Sequence, residues 1–566
     1  MMQRAGARLV VAAFAVPLLV GLAGTALQAS GTWAPLAGPG AGALDGLRLV
    51  LADPRTGPAI ALTLFTGLGA TLVALGATVL ALVSAHGTRA WRWTMGALPP
   101  LLAVPHAALA VGLAFLLAPS GWLARLASPW ATGWERSPTA WTVPDADGWS
   151  LLLGLALKET PFLVLAAAAQ LPSLDVDAAL RIGRTLGYAP ARCWSRLILP
   201  RLWPRLRLTF LVVLGFNLSV VDMAIVLGPG HPPTLSVLLV QLVADPSTRA
   251  AASAGAVLLA LLVAAACLGA LGLERLIGAV AARRRRNGRR GRGSALARGA
   301  GQGAAGAVLA TGTLALLVLP LWSLAARWRF PDALPSAWTA QNWTRRLGSL
   351  AEPALCTIGF AAATALAALV AGIVYLEAER YGRAPRLDWL WYVPLLVPQV
   401  ALLFGWQVAG IVLGVDGSWA LVAHAHWVYA LPYVVLILAA AWRELDPRWC
   451  HAAATLGAGY WTVLWRVRLP LLRRPVWQAT AVAVSVSVAQ YLPTLLLGAG
   501  RHPTLATELV ASQGGGDRRA IAALAVLQAL LPLATFALAL GWPAWRARRL
   551  GRATRAPCPR LVGARA

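Results

Sequence analysis

Apolar runs of about twenty residues alternate with short arginine-bearing segments along nearly the whole chain. About twenty apolar residues in a helix span the ~30 Å hydrocarbon layer of a bilayer. The pattern predicts twelve such spans, at about 9–27, 59–84, 98–118, 151–170, 208–228 and 252–280, then 303–324, 354–376, 390–413, 418–441, 477–497 and 520–543. A buried soluble core is excluded, because too little polar sequence is present to cover that much apolar surface. The fold class is all-α and polytopic, with about twelve membrane helices.

Composition agrees. Of 566 residues, 58% are hydrophobic and 12% charged, with a mean hydropathy of +0.67. Soluble domains carry about a quarter charged residues. The net charge of +28 would suggest nucleic acid in a soluble protein. Here the arginines sit between apolar spans, as the positive-inside rule requires, so no nucleic-acid partner is expected. With the N-terminus inside, the loops at 85–97, 171–207, 281–302, 377–389 and 442–476 and the C-terminal tail fall inside and hold most of the arginine. Outside loops hold Trp130, Trp134, Glu135, Trp141, Asp145 and Asp147. Arg327, Arg329, Arg345 and Arg346 are the exceptions. Arg4 and Arg8 before an apolar run resemble a signal peptide, but no convincing cleavage site follows, and the topology needs a retained helix. Cys193, Cys267, Cys356, Cys450 and Cys558 are scattered, with no metal or disulfide spacing.

The chain repeats itself. Thr185, Leu186, Gly187, Arg196, Leu199 and Pro200 recur 270 residues later as Thr455, Leu456, Gly457, Arg466, Leu469 and Pro470. At the same offset, Gly228, Gly230, Pro233, Thr234 and Leu235 match Gly498, Gly500, Pro503, Thr504 and Leu505. Upstream, PLLAVP at 100–105 echoes PLLVP at 394–398. Two parallel six-helix halves follow, residues 1–280 and 303–545. An Arg/Gly-rich linker at 281–302 joins them and a basic tail at 546–566 ends the chain.

The repeated polar loop lies between the fourth and fifth span of each half. In the first copy, three- and four-residue spacing puts Trp194, Leu197 and Ile198 on one helical face, and Arg192 and Arg196 on another. Pro200 marks a stop, and Gly187 a break. Simple contact with lipid needs no fixed register. Two copies with equal Gly-to-Pro spacing predict a dock for a two-fold partner, centred on Gly187, Trp194, Arg196 and Pro200 and on Gly457, Leu464, Arg466 and Pro470.

Both loops resemble the EAA loops of ABC-importer permeases, which run EAA-x3-G and end in Leu-Pro. Ala452 and Ala453 fit the second copy; Ile182 and Gly183 stand there in the first. Arg181 and His451 replace the usual glutamate. The fused form is similar to permeases of the thiamine and ferric-iron importer group. KETPFL at 158–163 and SVVDMAIVLGPGHPPTLSV at 219–237 look most like an uncharacterised bacterial subfamily of it. The resemblance implies the type I permease fold in a bacterial inner membrane, with both termini cytoplasmic. It also implies two copies of an ATP-binding subunit on the loops, a periplasmic or lipid-anchored substrate-binding protein, and alternating access driven by ATPase closure.

ATP must then be used by a partner, and no cofactor is expected in this chain. A P-loop needs a Gly-Lys-Ser/Thr end, and the single lysine, Lys158, follows Ala156 and Leu157 inside an apolar span. Gly301–Gly306 fits GxGxxG but opens a membrane helix with no strand before it. Ionisable and polar groups inside spans mark candidate pathways: Lys158, Glu159, Asn217 and Asp222 in the first half, Ser487 and Gln490 in the second. Lys158 and Glu159 are adjacent on a helix and need separate partners. His424 and His426, two apart, are a poor metal pair, and no metal site is expected. The alternative is a secondary transporter of six-plus-six parallel form, with Lys158, Glu159 and Asp222 as a relay; it leaves the paired loops unexplained. A membrane enzyme ranks last, since no acid–base or metal cluster faces one side.

Overall fold

The computed structural model describes residues 2–31, 44–139, 142–285 and 295–553. Its long helices include Met2–Ala29, Thr56–Ala85, Trp149–Gln170 and Arg249–Arg285, then Ala295–Ser323, Leu347–Arg380, Trp419–Glu444 and Arg518–Ala553. Helices satisfy their own backbone, which is what a hydrocarbon environment demands. Among the described residues, nine helices are long and apolar enough to cross a membrane, or eleven if two bent pairs each count as one span. The twelfth expected span, 208–228, does not qualify. Its helix, Leu199–Ser219, begins among Arg201, Arg205 and Arg207 and stops before Asp222–Leu227. Of the expected linker, helix covers up to Arg285 and again from Ala295; 286–294 lie outside the described residues. The expected basic tail at 546–566 is helical to Ala553, and the rest lies outside the described residues.

Four expected straight spans are broken, at repeat-related places. The span drawn at 98–118 ends one helix at Ala103 and starts another at His106; its counterpart ends at Leu396 and restarts at Gln399, bent by 91°. The cause is local. Proline disfavours the helical conformation in the residue before it, and Val104 and Val397 are both extended, at ψ 131°. The spans at 208–228 and 477–497 break at Val220–Val221 and Gln490–Tyr491, the latter by 56°.

The halves are intertwined. The first helix, Met2–Ala29, packs on Gln399–Val412 of the second half, and Ala295–Ser323 packs on Thr56–Ala85 and His106–Leu117 of the first. A Cβ on Gly405 would stand 2.0 Å from the Gly21 carbonyl oxygen, and one on Gly112 would stand 2.2 Å from that of Ala315. Gly112 and Gly405 are repeat mates, each following its proline by seven residues. Thr25 Oγ1 accepts from the Gly405 amide at 2.8 Å. Another repeat-related tie crosses each half internally: Leu235 N donates to Thr63 Oγ1 at 2.8 Å, and Leu505 N to Thr357 Oγ1 at 2.9 Å.

Candidate functional site

The two polar loops have the same architecture. In the first, helix Val176–Thr185 ends at Gly187, which is left-handed at φ 79°; in the second, Pro447–Thr455 ends at Gly457, at φ 84°. Gly187 N donates to Arg184 O and Tyr188 N to Gly183 O, both at 2.9 Å. Gly457 N and Ala458 N repeat this to Ala454 O and Ala453 O at 3.0 and 3.1 Å. This is the Schellman arrangement, in which glycine avoids the Cβ clash of the left-handed region. A short helix and a π-helical turn follow in both, Trp194–Ile198 and Val463–Arg468.

The π turn changes the predicted faces. Trp194 and Ile198 are buried, but Leu197 is exposed, so it does not share their side. A wider turn keeps residues four apart aligned and rotates those three apart away from each other. Pro200 and Pro470 do not stop the loop segment. Each sits in the first turn of a following helix, where its missing N–H removes no bond. Trp194 and Leu464 are buried as the floor of their loops, whereas Arg466 is exposed and Arg196 lies over the Tyr188 ring at 5.7 Å. Ile182, Leu186, Leu456, Trp461 and Trp465 leave large apolar surface uncovered on these polar segments. Both loops lie at one end of the bundle. Gln3, at one end of the first helix, bonds Arg383 beside the second loop. Gln28, at its other end, meets Ser253 at 2.6 Å, beyond the far end of the helix that leaves the first loop.

The floors differ chemically. Beneath the first loop, Leu82, Trp194, Ile198 and Leu202 form an apolar cluster. Beneath the second, Arg468, which stands where the first loop has Ile198, donates to Glu377, and both are buried. Glu377 also accepts from Trp442 Nε1 at 3.1 Å and Tyr460 Oη at 3.0 Å. Burial and the neighbouring Glu377 push the Tyr460 hydroxyl up to about 12, so it remains a donor. Beside it, Arg443 bridges Glu379 at 2.7 Å and Asp388 at 2.7 Å. Arg181 and His451, at the places of the usual glutamate, are exposed.

Between the halves lies a cavity of about 450 Å³, lined by all four helix breaks. Lys158, Glu159, Asp222 and Gln490 line it. Asn217 and Ser487 do not. Asn217 donates to Thr71 Oγ1 at 3.0 Å, and Ser487 pairs with His426 at 2.9 Å, so these repeat mates tie helices within their own halves. His426 also meets Thr494 at 2.9 Å, and His424 stacks on Trp427 at 5.3 Å. Lys158 donates to the carbonyls of Leu101 at 3.4 Å, Leu102 at 3.0 Å and Val104. These carbonyls lose helical partners because Pro105 has no N–H and the chain turns there. Glu159 has a separate partner, His106, at 3.4 Å. Sequence reasoning missed His106, Gln399, Tyr429, Tyr433 and Tyr491, which also line the cavity. A signal existed for two of them: each directly follows the repeated Val-Pro, as Pro105-His106 and Pro398-Gln399.

A duplicated membrane bundle with two matched polar loops and a cavity on its pseudo-symmetric seam defines a transport permease. Residues 384–550 match the family model for the binding-protein-dependent transport system inner membrane component. The chain is 34% identical over 496 residues to the inner membrane ABC transporter permease protein YnjC of Escherichia coli, covering 86% of this chain and 88% of that one. It is 30% identical over 208 residues to the spermidine/putrescine transport system permease protein PotC of Haemophilus influenzae, covering 35% and 79%. It is 28% identical over 246 residues to the putative 2-aminoethylphosphonate transport system permease protein PhnV of Salmonella typhimurium, covering 41% and 91%. The chain belongs to the family of binding-protein-dependent ABC transporter permeases of the inner membrane.

Proposed function

We propose that this chain is the fused permease of an importer in which both halves act as one translocation unit. Two ATP-binding subunits dock on 171–207 and 442–476, which places these loops and both termini in the cytoplasm. ATP is bound and hydrolysed by those subunits, and this chain holds no cofactor. A substrate-binding protein delivers cargo at the opposite face. The carrying observation is the matched pair of loops, with left-handed glycines and the same capping bonds 270 residues apart, and π turns that end at the matching residues Ile198 and Arg468. Their exposed apolar side chains suit a protein groove better than water. The fused two-half form, and the stretches at 158–163 and 219–237, support placing it beside the thiamine and ferric-iron permeases.

On this reading Gly187, Gly457, Arg196 and Arg466 face the ATPase, while Trp194, Leu464, Pro200 and Pro470 hold the loops in shape. Closure of the ATPase dimer moves both loops and, through the helices leaving them, the cavity walls. The test is a Gly187→Asp/Gly457→Asp double variant in proteoliposomes with the partner subunits. ATP-driven uptake is abolished while the protein stays membrane-inserted; undiminished uptake would reject the coupling role.

A further inference from the structure

Resting on the permease reading, the geometry points to a small organic cation as the ligand of the cavity between the halves. The chain carries 49 lysines and arginines, yet among the described residues no arginine lines this cavity. Its one ammonium, Lys158, has three N–H donors, and three backbone carbonyls receive them. An oxyanion would call for a charged donor such as a guanidinium fork; the tyrosine hydroxyls and the Gln490 amide on these walls are neutral donors.

Helix starts at the breaks would also attract an anion, but in the first half carboxylates already stand there. Asp222 opens its helix and accepts the Met223 amide at 2.9 Å. Glu159 reaches His106, the first residue of the helix after Pro105. In the second half, Pro493 removes one donor from the corresponding start. Two carboxylates, Glu159 and Asp222, thus stand on the walls beside one engaged ammonium and His106.

The remaining walls are largely aliphatic, with aromatic rings set among them, Phe162, Phe216, Tyr433 and Tyr491 included. Ring faces attract cations, more so when water is displaced. Aligned on the helix-interior prolines Pro161 and Pro432, Tyr429 occupies the place of Lys158. Its side chain is 3% exposed, lines the cavity, and has a hydroxyl with no hydrogen-bond partner among the described residues. It offers an acceptor to an N–H of the ligand. Among the described residues, no group of three His, Cys, Asp or Glu side chains could hold a metal ion.

The test uses the full chain in nanodiscs and saturation-transfer NMR, which reads weak binding. The probes are benzyltrimethylammonium, benzylamine and the matched anion benzenesulfonate. Both cations bind, benzylamine more tightly, and benzenesulfonate does not. Glu159→Gln/Asp222→Asn weakens both cations at least fivefold, and Tyr429→Phe weakens benzylamine alone. Preferential binding of benzenesulfonate, absence of cation binding to the native chain, or cation binding unchanged in both variants would each overturn the assignment. ATP-driven uptake that fails in the Gly187→Asp/Gly457→Asp variant would meanwhile leave the permease reading intact, so the two conclusions fail separately.

Discussion

Arg468 and Glu377 form a buried ion pair under the second loop, although 91 residues separate them in the chain. Ile198, the repeat mate of Arg468, instead packs with Leu82 in an apolar floor. One duplicated unit thus supports the same loop shape by two chemistries. The carboxylate that neither loop carries at its usual place enters the second one from the helix Leu347–Arg380.

Removing one partner of a buried pair leaves an uncompensated charge and costs about 3–5 kcal/mol. Arg468→Met is therefore expected to lower the melting temperature sharply. The double variant Glu377→Leu/Arg468→Ile, which gives the second loop an apolar floor like the first, recovers part of that loss. Recovery is incomplete because Trp442 and Tyr460 still lose their acceptor. Thermal melting in detergent checks this; a double variant worse than Arg468→Met would contradict it.

Gly187 and Gly457 hold left-handed conformations that cost other residues about 1–2 kcal/mol. Each alanine substitution is expected to leave the fold intact and to reduce uptake, with similar effects because the capping bonds are the same. Side-by-side transport assays decide. A strong effect at one glycine and none at the other would show that only one loop is coupled.

Lys158 is expected to be a structural clamp as well as a cavity residue. Lys158→Met leaves carbonyls of Leu101, Leu102 and Val104 without their donor, at about 1–3 kcal/mol for each unsatisfied buried group. Proteolysis of the variant should open the segment around Pro105 first. Equal protection of native and variant chains at that site would refute the clamp.

The crossed helices predict a steric limit. Gly405→Val and Gly112→Val each place a side chain inside a helix contact, against the Gly21 and Ala315 carbonyls respectively. Both should fail to give a monodisperse protein in size-exclusion chromatography. Gly303→Val, on a helix with open space at that position, should not.

Much of this was legible beforehand. Apolar runs of bilayer length mark membrane helices because each helix meets its backbone needs alone, and a constant offset exposes the duplication. The loops were readable because Thr-Leu-Gly, Leu-Pro and one arginine, Arg196 and Arg466, repeat in register. Lys158, Glu159, Asp222 and Gln490 were found because polar groups are costly inside spans, and all four reach the cavity. The same rule picked Asn217 and Ser487, which turn away toward Thr71 and His426. Polarity within a span cannot distinguish a pathway from a tie between helices.

By itself, the sequence determined the number of repeats, the helical class and the local devices: glycines at helix ends and prolines that bend the preceding valine. Only the tertiary structure decided which groups meet. The exchange of first helices between halves, the capture of carbonyls by Lys158 and the pairing of Arg468 with Glu377 all join distant segments. Local periodicity sets which face of a helix a residue occupies, but the neighbour opposite that face is set by how the helices pack. In a membrane helix that is apolar all round, the sequence leaves that choice nearly unmarked.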